Sequence, residues 1–156
     1  MKVSVSLDDK EIKEMIKRFP RKIEKASKTA ILQTAFFVNQ KIANRTKSGR
    51  SSAGGSFVPY AKRTIKSRTK KTRQTGIVDL IDTGNMMAAI KVRSKNPFLS
   101  QVYIPDIEEA RKAMWHHKGR GNLPKREWFD IATNEEPLVI KTFRNSFIKQ
   151  LNIARA

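Results

Sequence analysis

The chain has 156 residues, about the length of one domain, and we expect residues 1–156 to form a single domain. It has no cysteine, which excludes disulfides, thiolate metal sites and a cysteine nucleophile. Its formal net charge is +19, and no Asp or Glu occurs from Lys25 through Val78, a distribution that attracts phosphate polyanions and acidic protein surfaces.

Apolar runs in this chain are short. None approaches the roughly 20 residues of a membrane span, and the N-terminus lacks the apolar run of a signal peptide. We therefore expect a soluble protein that folds in the cytoplasm and has no membrane partner.

The N-terminal part of the chain is predicted to be mainly helical. A short strand is predicted over residues 3–7, and Asp8 followed by Glu11 forms a capping box that opens a helix. Pro20 either ends that helix or starts the next one. A second helix is predicted over residues 21–44, because apolar residues recur there with a period of about 3.6. That stripe comprises Ile23, Ala26, Ala30, Ile31, Ala35, Val38 and Ile42, and it is widened by Phe36 and Phe37.

Residues 45–73 are predicted to form a long, mobile basic loop. Glycine and serine dominate residues 48–56, where the conformational entropy of glycine opposes a fixed structure. Residues 61–73 could form a helix, but Ile65 is their only apolar anchor and the basic side chains repel one another. Residues 57–60 are expected to fix the far end of the loop to the body of the domain.

Strand patterns follow the basic segment. Residues 88–93 and 99–104 are predicted to form an antiparallel hairpin around a loop at residues 94–97. The short apolar segment 128–131, which contains Trp128, Phe129 and Ile131, is expected to complete the sheet.

Two further helices are predicted after the hairpin. The first covers residues 107–117, with Asp106 as its cap and two glutamates in its first turn. The second begins at Asn134 and extends to about Ile153, and its predicted buried face comprises Leu138, Phe143, Phe147, Ile148 and Leu151. The predicted fold class is α+β: a small antiparallel sheet covered on one face by the N-terminal helices and the C-terminal helix.

The tripeptide Asp82-Thr83-Gly84 has two interpretations. Aspartic proteases use it in pairs, because two carboxylates held close together share a proton. A protease would need a second copy from a homodimer and an almost all-β chain, whereas helical patterns occupy both ends of this one. We therefore interpret the tripeptide as a structural turn, in which Asp82 hydrogen-bonds nearby backbone, Gly84 has a positive φ, and the first strand of the hairpin begins.

Other catalytic and metal-binding patterns are missing from the sequence. His116 and His117 are adjacent, so they do not point in one direction on a helix, and no His-x-x-x-His spacing occurs. There is no phosphate-binding glycine loop with its lysine and no nucleophile elbow. We expect no catalytic residue, no bound metal and no cofactor.

The basic residues are the candidate contact residues. They could neutralise many phosphates, but they lack interleaved aromatics and match no helix-turn-helix or RNA-recognition pattern, so they predict affinity without sequence specificity. A solvated basic face, nucleic-acid contact and docking on an acidic partner all stay open. The candidates are Arg45, Lys47, Arg50, Lys62, Arg63, Lys66, Arg68, Lys70, Lys71, Arg73, Lys118, Arg120, Lys125 and Arg126.

Several short motifs occur in a distinctive order along the chain. They are residues 54–60, Thr64, Arg68, residues 80–86, residues 117–119 and residues 123–129. Each motif is short, and their order resembles that of the tail completion, or virion morphogenesis, proteins of Mu-like tailed phages and prophages. This sequence departs from the family at Tyr60 and Met86, where leucine is usual, and at Trp128-Phe129, where the family has Phe-Leu, but each change keeps apolar character.

The resemblance implies a structural protein of the head-to-tail joining region or tail end, present in the virion and without catalysis. It implies neighbouring neck and tail proteins (connector, tail tube or terminator) as partners, and a role either as a homo-oligomeric ring or as an assembly factor. Nonspecific contact with genomic DNA is also open. Arg126, in the segment that matches the family's Pro-x-Arg pattern, is expected to pair with a carboxylate or with backbone carbonyls that fix the turn. A nonspecific nucleic-acid-binding protein is the alternative function.

Overall fold

The computed structural model describes residues 1–6 and 20–153, so the helix predicted to open at Asp8 lies outside the described residues. The predicted α+β class is confirmed, because helices accompany a three-stranded antiparallel sheet. In chain order the elements are β1 (Lys2–Ser6), α1 (Pro20–Lys47), α2 (Lys62–Lys70), α3 (Asn85–Ala88), β2 (Lys91–Asn96), β3 (Leu99–Tyr103), α4 (Ile107–Lys118) and α5 (Glu136–Ile153).

The chain divides into two compact units, and the expectation of one domain over residues 1–156 stays a prediction. The sheet unit contains the described parts of residues 2–39, 91–103 and 134–156. The basic unit contains Met1 with residues 40–90 and 104–133. Each unit draws on separate stretches of the chain, so no change of composition along the sequence marks a boundary between them.

The sheet has the strand order β1-β3-β2, with both pairings antiparallel. Val102 in β3 is opposite Val3 on one side and Val92 on the other, and it is fully buried. The predicted hairpin is therefore confirmed, but β2 continues to Asn96, which leaves only residues 97 and 98 as its loop. The Oδ1 atom of Asn96 accepts a 2.8 Å hydrogen bond from the Phe98 amide, which closes this tight turn.

The third strand of the sheet is β1, and the prediction that residues 128–131 supply it is wrong. Strand β1 forms where the short strand at residues 3–7 was predicted, within the described residues 2–6. Its valines alternate with polar residues, which is the pattern of a strand with one buried face.

The helices of the sheet unit pack through one apolar cluster. Helix α1 buries the whole predicted stripe, and within this unit Ile23, Ala26, Ala30 and Ile31 meet Phe143 and Phe147 of α5. The rings of Phe143 and Phe147 stack with centroids 5.6 Å apart. Phe98 of the hairpin loop and Leu151 of α5 pack against the same cluster.

The predicted apolar faces were too wide. Leu138 and Ile148 on α5 and Phe36 on α1 are exposed, although the sequence placed all three on buried faces. Leu138 and Ile148 each lie five residues from Phe143, which is about 140° around a helix of 3.6 residues per turn. A helix that packs with Phe143 and Phe147 therefore leaves both residues outside that contact.

The basic unit is built from the end of α1, helices α2 to α4 and the segments between them. Helix α4 starts as predicted, because the Oδ1 atom of Asp106 accepts a 2.8 Å hydrogen bond from the Glu109 amide. The buried apolar side chains of this unit are Ile42, Phe57, Val78, Leu80, Met86, Ile90, Ile104, Ala113, Trp128, Phe129 and Ala132. Among the helices that the structure describes, none is long and apolar enough to cross a bilayer.

Candidate functional site

The basic segment 45–73 has three structural parts, one of which is the helix that the sequence allowed within residues 61–73. Its first three residues end α1, and residues 62–70 form α2. Between them the chain makes a turn with an antiparallel bridge between Arg50 and Ser56. The mobility of this segment stays a prediction.

The turn after α1 is tied to residue 127. The Ser52 amide donates a 2.7 Å hydrogen bond to the Glu127 carbonyl, and the hydroxyls of Ser51 and Ser52 each donate to the same oxygen at 3.0 Å. The Phe57 amide donates to the Gly49 carbonyl at 2.7 Å. Gly49 has a φ of +73°, and a Cβ there would lie 2.6 Å from the Ile77 side chain, so the turn requires glycine.

Arg45 holds the next part of the same segment. Its Nη2 donates to the carbonyls of Trp128, at 3.0 Å, and Asp130. The indole of Trp128 is fully buried and donates to the Ala113 carbonyl of α4 at 3.2 Å. The carbonyls of Glu127, Trp128 and Asp130 are therefore bonded to the turn and to Arg45, which explains why this segment does not form the predicted strand.

Arg68 is the buried residue of α2. Its guanidinium donates from Nε to the Gln74 carbonyl at 2.7 Å, from Nη1 to the Ile81 carbonyl at 2.8 Å, and from Nη2 to the Asp79 carboxylate at 3.0 Å. Arg68 is 4% exposed, whereas Ile65, the predicted anchor, is 37% exposed. A buried arginine, and not an apolar residue, fixes α2 to its unit.

Asp79 organises the turn that follows α2. Its Oδ1 atom accepts hydrogen bonds from Arg68, from the Tyr60 hydroxyl at 3.1 Å and from the Ile81 amide at 3.0 Å. The residue between Asp79 and Ile81, Leu80, has a φ of +55°, which is a rare conformation for a leucine. The three hydrogen bonds to one carboxylate stabilise this strained turn.

Arg126 pairs with backbone carbonyls, which confirms one of the two expected arrangements. Its Nε and Nη2 donate to the Val58 carbonyl at 3.2 and 3.0 Å, and Nη2 also approaches the Pro59 carbonyl at 3.4 Å. Its own amide donates to the His116 carbonyl at 2.8 Å. Arg126 is 3% exposed, so it joins residues 58–59 to α4.

The ring of Tyr60 lies close to both buried arginines. The guanidinium carbon is 4.7 Å from the ring centroid for Arg68 and 5.7 Å for Arg126, distances at which cation–π attraction acts. Burial raises the pKa of Tyr60, and the Asp79 carboxylate adds to this effect. Burial also lowers the pKa of Arg126. The cluster of Tyr60, Arg68, Asp79 and Arg126 is called the arginine–tyrosine cluster below.

A pocket of about 360 Å³ opens beside this cluster. One wall is a face of α2, because the α2 residues that line the pocket recur at helical spacing. The opposite lining comes from the turn before α3 and from His116 of α4. The lining residues are Tyr60, Arg63, Thr64, Ser67, Arg68, Lys71, Leu80, Asp82 and His116.

The predicted turn at Asp82-Thr83-Gly84 is partly correct. Gly84 has a φ of +86° and caps α3, as expected for a glycine in this turn. Asp82, however, forms ion pairs with Arg73 and, at 4.0 Å, with Lys71, and the carboxylate that bonds nearby backbone is that of Asp79. The short helix α3 separates this turn from β2, so the turn does not begin the strand directly.

The structure separates the predicted contact residues into three groups by their exposure. Arg68 and Arg126 are buried and hydrogen-bonded, so we correct their assignment from surface contacts to structural residues. Arg45 and Arg73 are half-buried, and Arg45 is engaged with the Trp128 carbonyl. The exposed candidates are Lys47, Arg50, Lys62, Arg63, Lys66, Lys70, Lys71, Lys118, Arg120 and Lys125.

Two of these exposed residues contact side chains near the end of α4. The guanidinium of Arg120 lies 4.6 Å from the ring of Trp115, and Lys125 pairs with Glu127. The pocket brings together only Arg63, Arg68 and Lys71 from the predicted set.

Neither histidine has the surroundings of a metal ligand. Burial lowers the pKa of His116, with the charge of Arg126 as a second cause, and burial also lowers the pKa of His117. The Nδ1 atom of His117 accepts a hydrogen bond from the Phe129 amide at 3.4 Å, so this nitrogen carries no proton and the ring is neutral. In the described ranges, 1–6 and 20–153, no group of three His, Asp or Glu side chains is placed to hold a metal ion.

Sequence reasoning missed Asp79 and the role of Tyr60. Asp79 is the first acidic residue after the long stretch without Asp or Glu, and that position is the one sequence feature that marks it. Its partners Tyr60 and Arg68 are 19 and 11 residues away, and no local periodicity relates them to it.

Comparisons of the chain with family models, with curated proteins and with solved structures find no match. The function proposed below therefore depends on the residues of this chain and on the motif order alone.

Proposed function

We propose that this chain is a structural neck or tail completion protein of a tailed phage or prophage, which takes part in head-to-tail joining or tail termination and performs no catalysis. Its place is the virion, in the tail or neck, after folding in the host cytoplasm. Its partners are the connector, tail tube or terminator proteins and further copies of itself in a ring.

The observation that supports this proposal best is the meeting of the separate motifs in one unit. Arg126 of motif 123–129 donates to the Val58 carbonyl of motif 54–60, and Arg68 donates to the Ile81 carbonyl of motif 80–86. Asp79, which is outside the motifs, links the two pairs because it accepts hydrogen bonds from both Tyr60 and Arg68. Motif positions that build a shared core are expected if the resemblance reflects a common fold.

Exposed apolar side chains on the sheet unit suit subunit contacts. Leu138, Ile140 and Ile148 on α5 are 45%, 51% and 55% exposed, and Phe36 on α1 is 56% exposed. Such residues gain free energy when a neighbouring subunit covers them.

The exposed cations favour a second candidate function, nonspecific binding of nucleic acid. Helix α2 has five basic and no acidic residues among its nine. Such a surface binds polyanions with an affinity that falls steeply as salt rises.

Size-exclusion chromatography with light scattering, with and without duplex DNA at low and high salt, separates the two functions. The neck function predicts a defined oligomer whose size is the same without DNA. A monomer at all protein concentrations that binds duplex only at low salt would favour the second function and contradict the first.

A further inference from the structure

The pocket beside α2 combines cations with hydroxyl groups. Thr64 and Ser67 occupy the middle of its α2 wall, and Arg63 and Lys71 stand toward the two ends. In the part of the chain that the structure describes, Arg63 has no ion-pair partner and the hydroxyls of Thr64 and Ser67 have no hydrogen-bond partner. Guanidinium, ammonium and hydroxyl groups all donate hydrogen bonds, and together they match the unesterified oxygens of a phosphate.

The buried base of the pocket is already fixed. Arg68 is 4% exposed and its guanidinium is held by Asp79 and two carbonyls, so the wall does not need a ligand to become ordered. A preformed wall reduces the entropy cost of binding. The volume of about 360 Å³ is within the range of small-ligand sites.

The spacing of the cations favours a nucleic-acid strand over a single anion. Arg63 and Lys71 are eight residues apart, which corresponds to about 12 Å along a helix. One strand of a nucleic acid presents successive phosphates, so two positions about 12 Å apart can each face a different phosphate of the same strand. Lys62, Lys66 and Lys70, on other parts of the same helix, extend the cationic surface beyond the pocket.

Asp82 is the acidic residue of the lining. It is paired with Arg73 and lies 4.0 Å from Lys71, so its charge is partly compensated before any ligand enters. Because Asp82 repels phosphate, removal of its charge should strengthen the binding of a phosphate ligand.

We propose that this pocket binds the phosphate backbone of a nucleic acid, with one phosphate against Thr64 and Ser67 and its neighbours along the strand contacted by Arg63 and Lys71. The inference gives the second candidate function a specific site. The neck function does not depend on it, because ring formation is measured without DNA.

The decisive variant removes hydroxyls and leaves the charge unchanged. Thr64→Val with Ser67→Ala should weaken binding of a fluorescein-labelled duplex about tenfold in fluorescence anisotropy at low salt, because two hydrogen bonds to phosphate are lost. Both residues are exposed, so an unchanged melting temperature should accompany the loss. Unchanged affinity of this variant would overturn the inference, even if the duplex still binds the wider basic surface.

Charge variants of the same helix provide a matched comparison. Arg63→Gln with Lys71→Gln should lower the slope of log affinity against log salt by about 2, as expected for two lost phosphate contacts. Lys62→Gln with Lys66→Gln removes the same charge from the same helix outside the pocket, and should weaken binding less. Equal losses from the two pairs would contradict a site in the pocket.

Asp82→Asn should tighten duplex binding about threefold, because it removes the one repulsive charge of the lining. Weaker binding by this variant, with its fold intact, would contradict phosphate near Asp82.

The chemical nature of the ligand is tested by competition monitored on the amide resonances of Thr64 and Ser67. Duplex DNA should shift both, and pyrophosphate should displace it at high concentration, as expected for phosphate chemistry. If pyrophosphate shifts these resonances at as low a concentration as the duplex does, the natural ligand is a free phosphate compound, and the proposed contact with a nucleic-acid strand is wrong. If poly-glutamate shifts them at a lower concentration than the duplex, the pocket is a site for acidic protein segments and the inference is overturned.

Discussion

Arg126 acts as a structural residue of this fold. It is buried, and its Nε and Nη2 atoms both donate hydrogen bonds to the Val58 carbonyl. Loss of the side chain therefore leaves this acceptor without its partner. Arg126→Ala should lower the free energy of unfolding by about 3 kcal/mol in urea denaturation. Arg144→Ala, on an exposed position of α5, is the control and should change it by less than about 0.5 kcal/mol. Equal stabilities of the two variants would contradict a structural role for Arg126.

Asp79 and Asp82 are a natural matched pair. The Asp79 side chain is 14% exposed and accepts three hydrogen bonds, whereas that of Asp82 is 59% exposed and forms surface ion pairs. Asp79→Asn should cost about 2 kcal/mol of stability, and Asp82→Asn less than about 1 kcal/mol. Thermal unfolding of both variants measures the difference. The reverse order would show that Asp82 holds the turn, as the sequence alone led us to expect.

The histidines predict how stability depends on pH. Burial lowers the folded-state pKa of both His116 and His117 from the ordinary value of 6.5, so below that value the unfolded chain binds more protons than the folded one. The contribution of the two neutral histidines to stability is therefore fully present above their unfolded-state pKa. It is lost as the pH falls through their folded-state pKa.

The melting temperature should fall by about 2 to 4 °C between about pH 7 and about pH 5.5. In the double variant His116→Gln with His117→Gln, the melting temperature should be nearly the same at the two ends of this pH range, even if it differs from that of the wild type. A wild-type melting temperature that rises as the pH falls would contradict the neutral, buried state of the two rings.

At the scale of elements, helix α2 shows an unusual means of attachment. Its sequence offers one apolar residue, and the structure attaches it through the buried Arg68. Arg68→Met should remove the protection of α2 amides in hydrogen exchange, because three hydrogen bonds are lost together. Ile65→Ala, the control, should leave most of that protection, since Ile65 is 37% exposed. The opposite result would restore Ile65 as the anchor.

The elements that could be predicted from the sequence are those with a strong local pattern. Helix α1 was predicted over residues 21–44 and occupies Pro20–Lys47, and Asp106 caps α4 as predicted. The segments that were predicted wrongly depend on contacts with residues that are distant in sequence. Residues 128–131 have the composition of a strand, but their backbone is held by the distant Arg45 and by the fully buried indole of Trp128.

The candidate site was predictable only in its charge. The run of cations identified α2 as a polyanion surface, but the burial of Arg68 within it depends on Asp79 and Tyr60, which are distant in sequence. Arg68 and Arg126 look like surface cations in the sequence and become buried because carbonyls and one carboxylate satisfy their donors. Such pairing crosses up to 68 residues and has no local pattern.

We expect the whole molecule to assemble through the exposed apolar side chains of the sheet unit and to contact polyanions through α2. The net charge of +19 opposes self-association at low salt, so assembly should strengthen as salt screens this repulsion. DNA binding should weaken over the same range. Opposite salt dependences would therefore distinguish the two surfaces.

Electron micrographs of the purified protein at moderate salt, without DNA, test whether the protein assembles into rings. We expect closed rings of uniform diameter for the wild type. Leu138→Ser with Ile148→Ser, at exposed positions of α5, should reduce the rings without lowering the melting temperature. Isolated monomers of the wild type at every protein concentration would contradict the proposed neck and tail completion function.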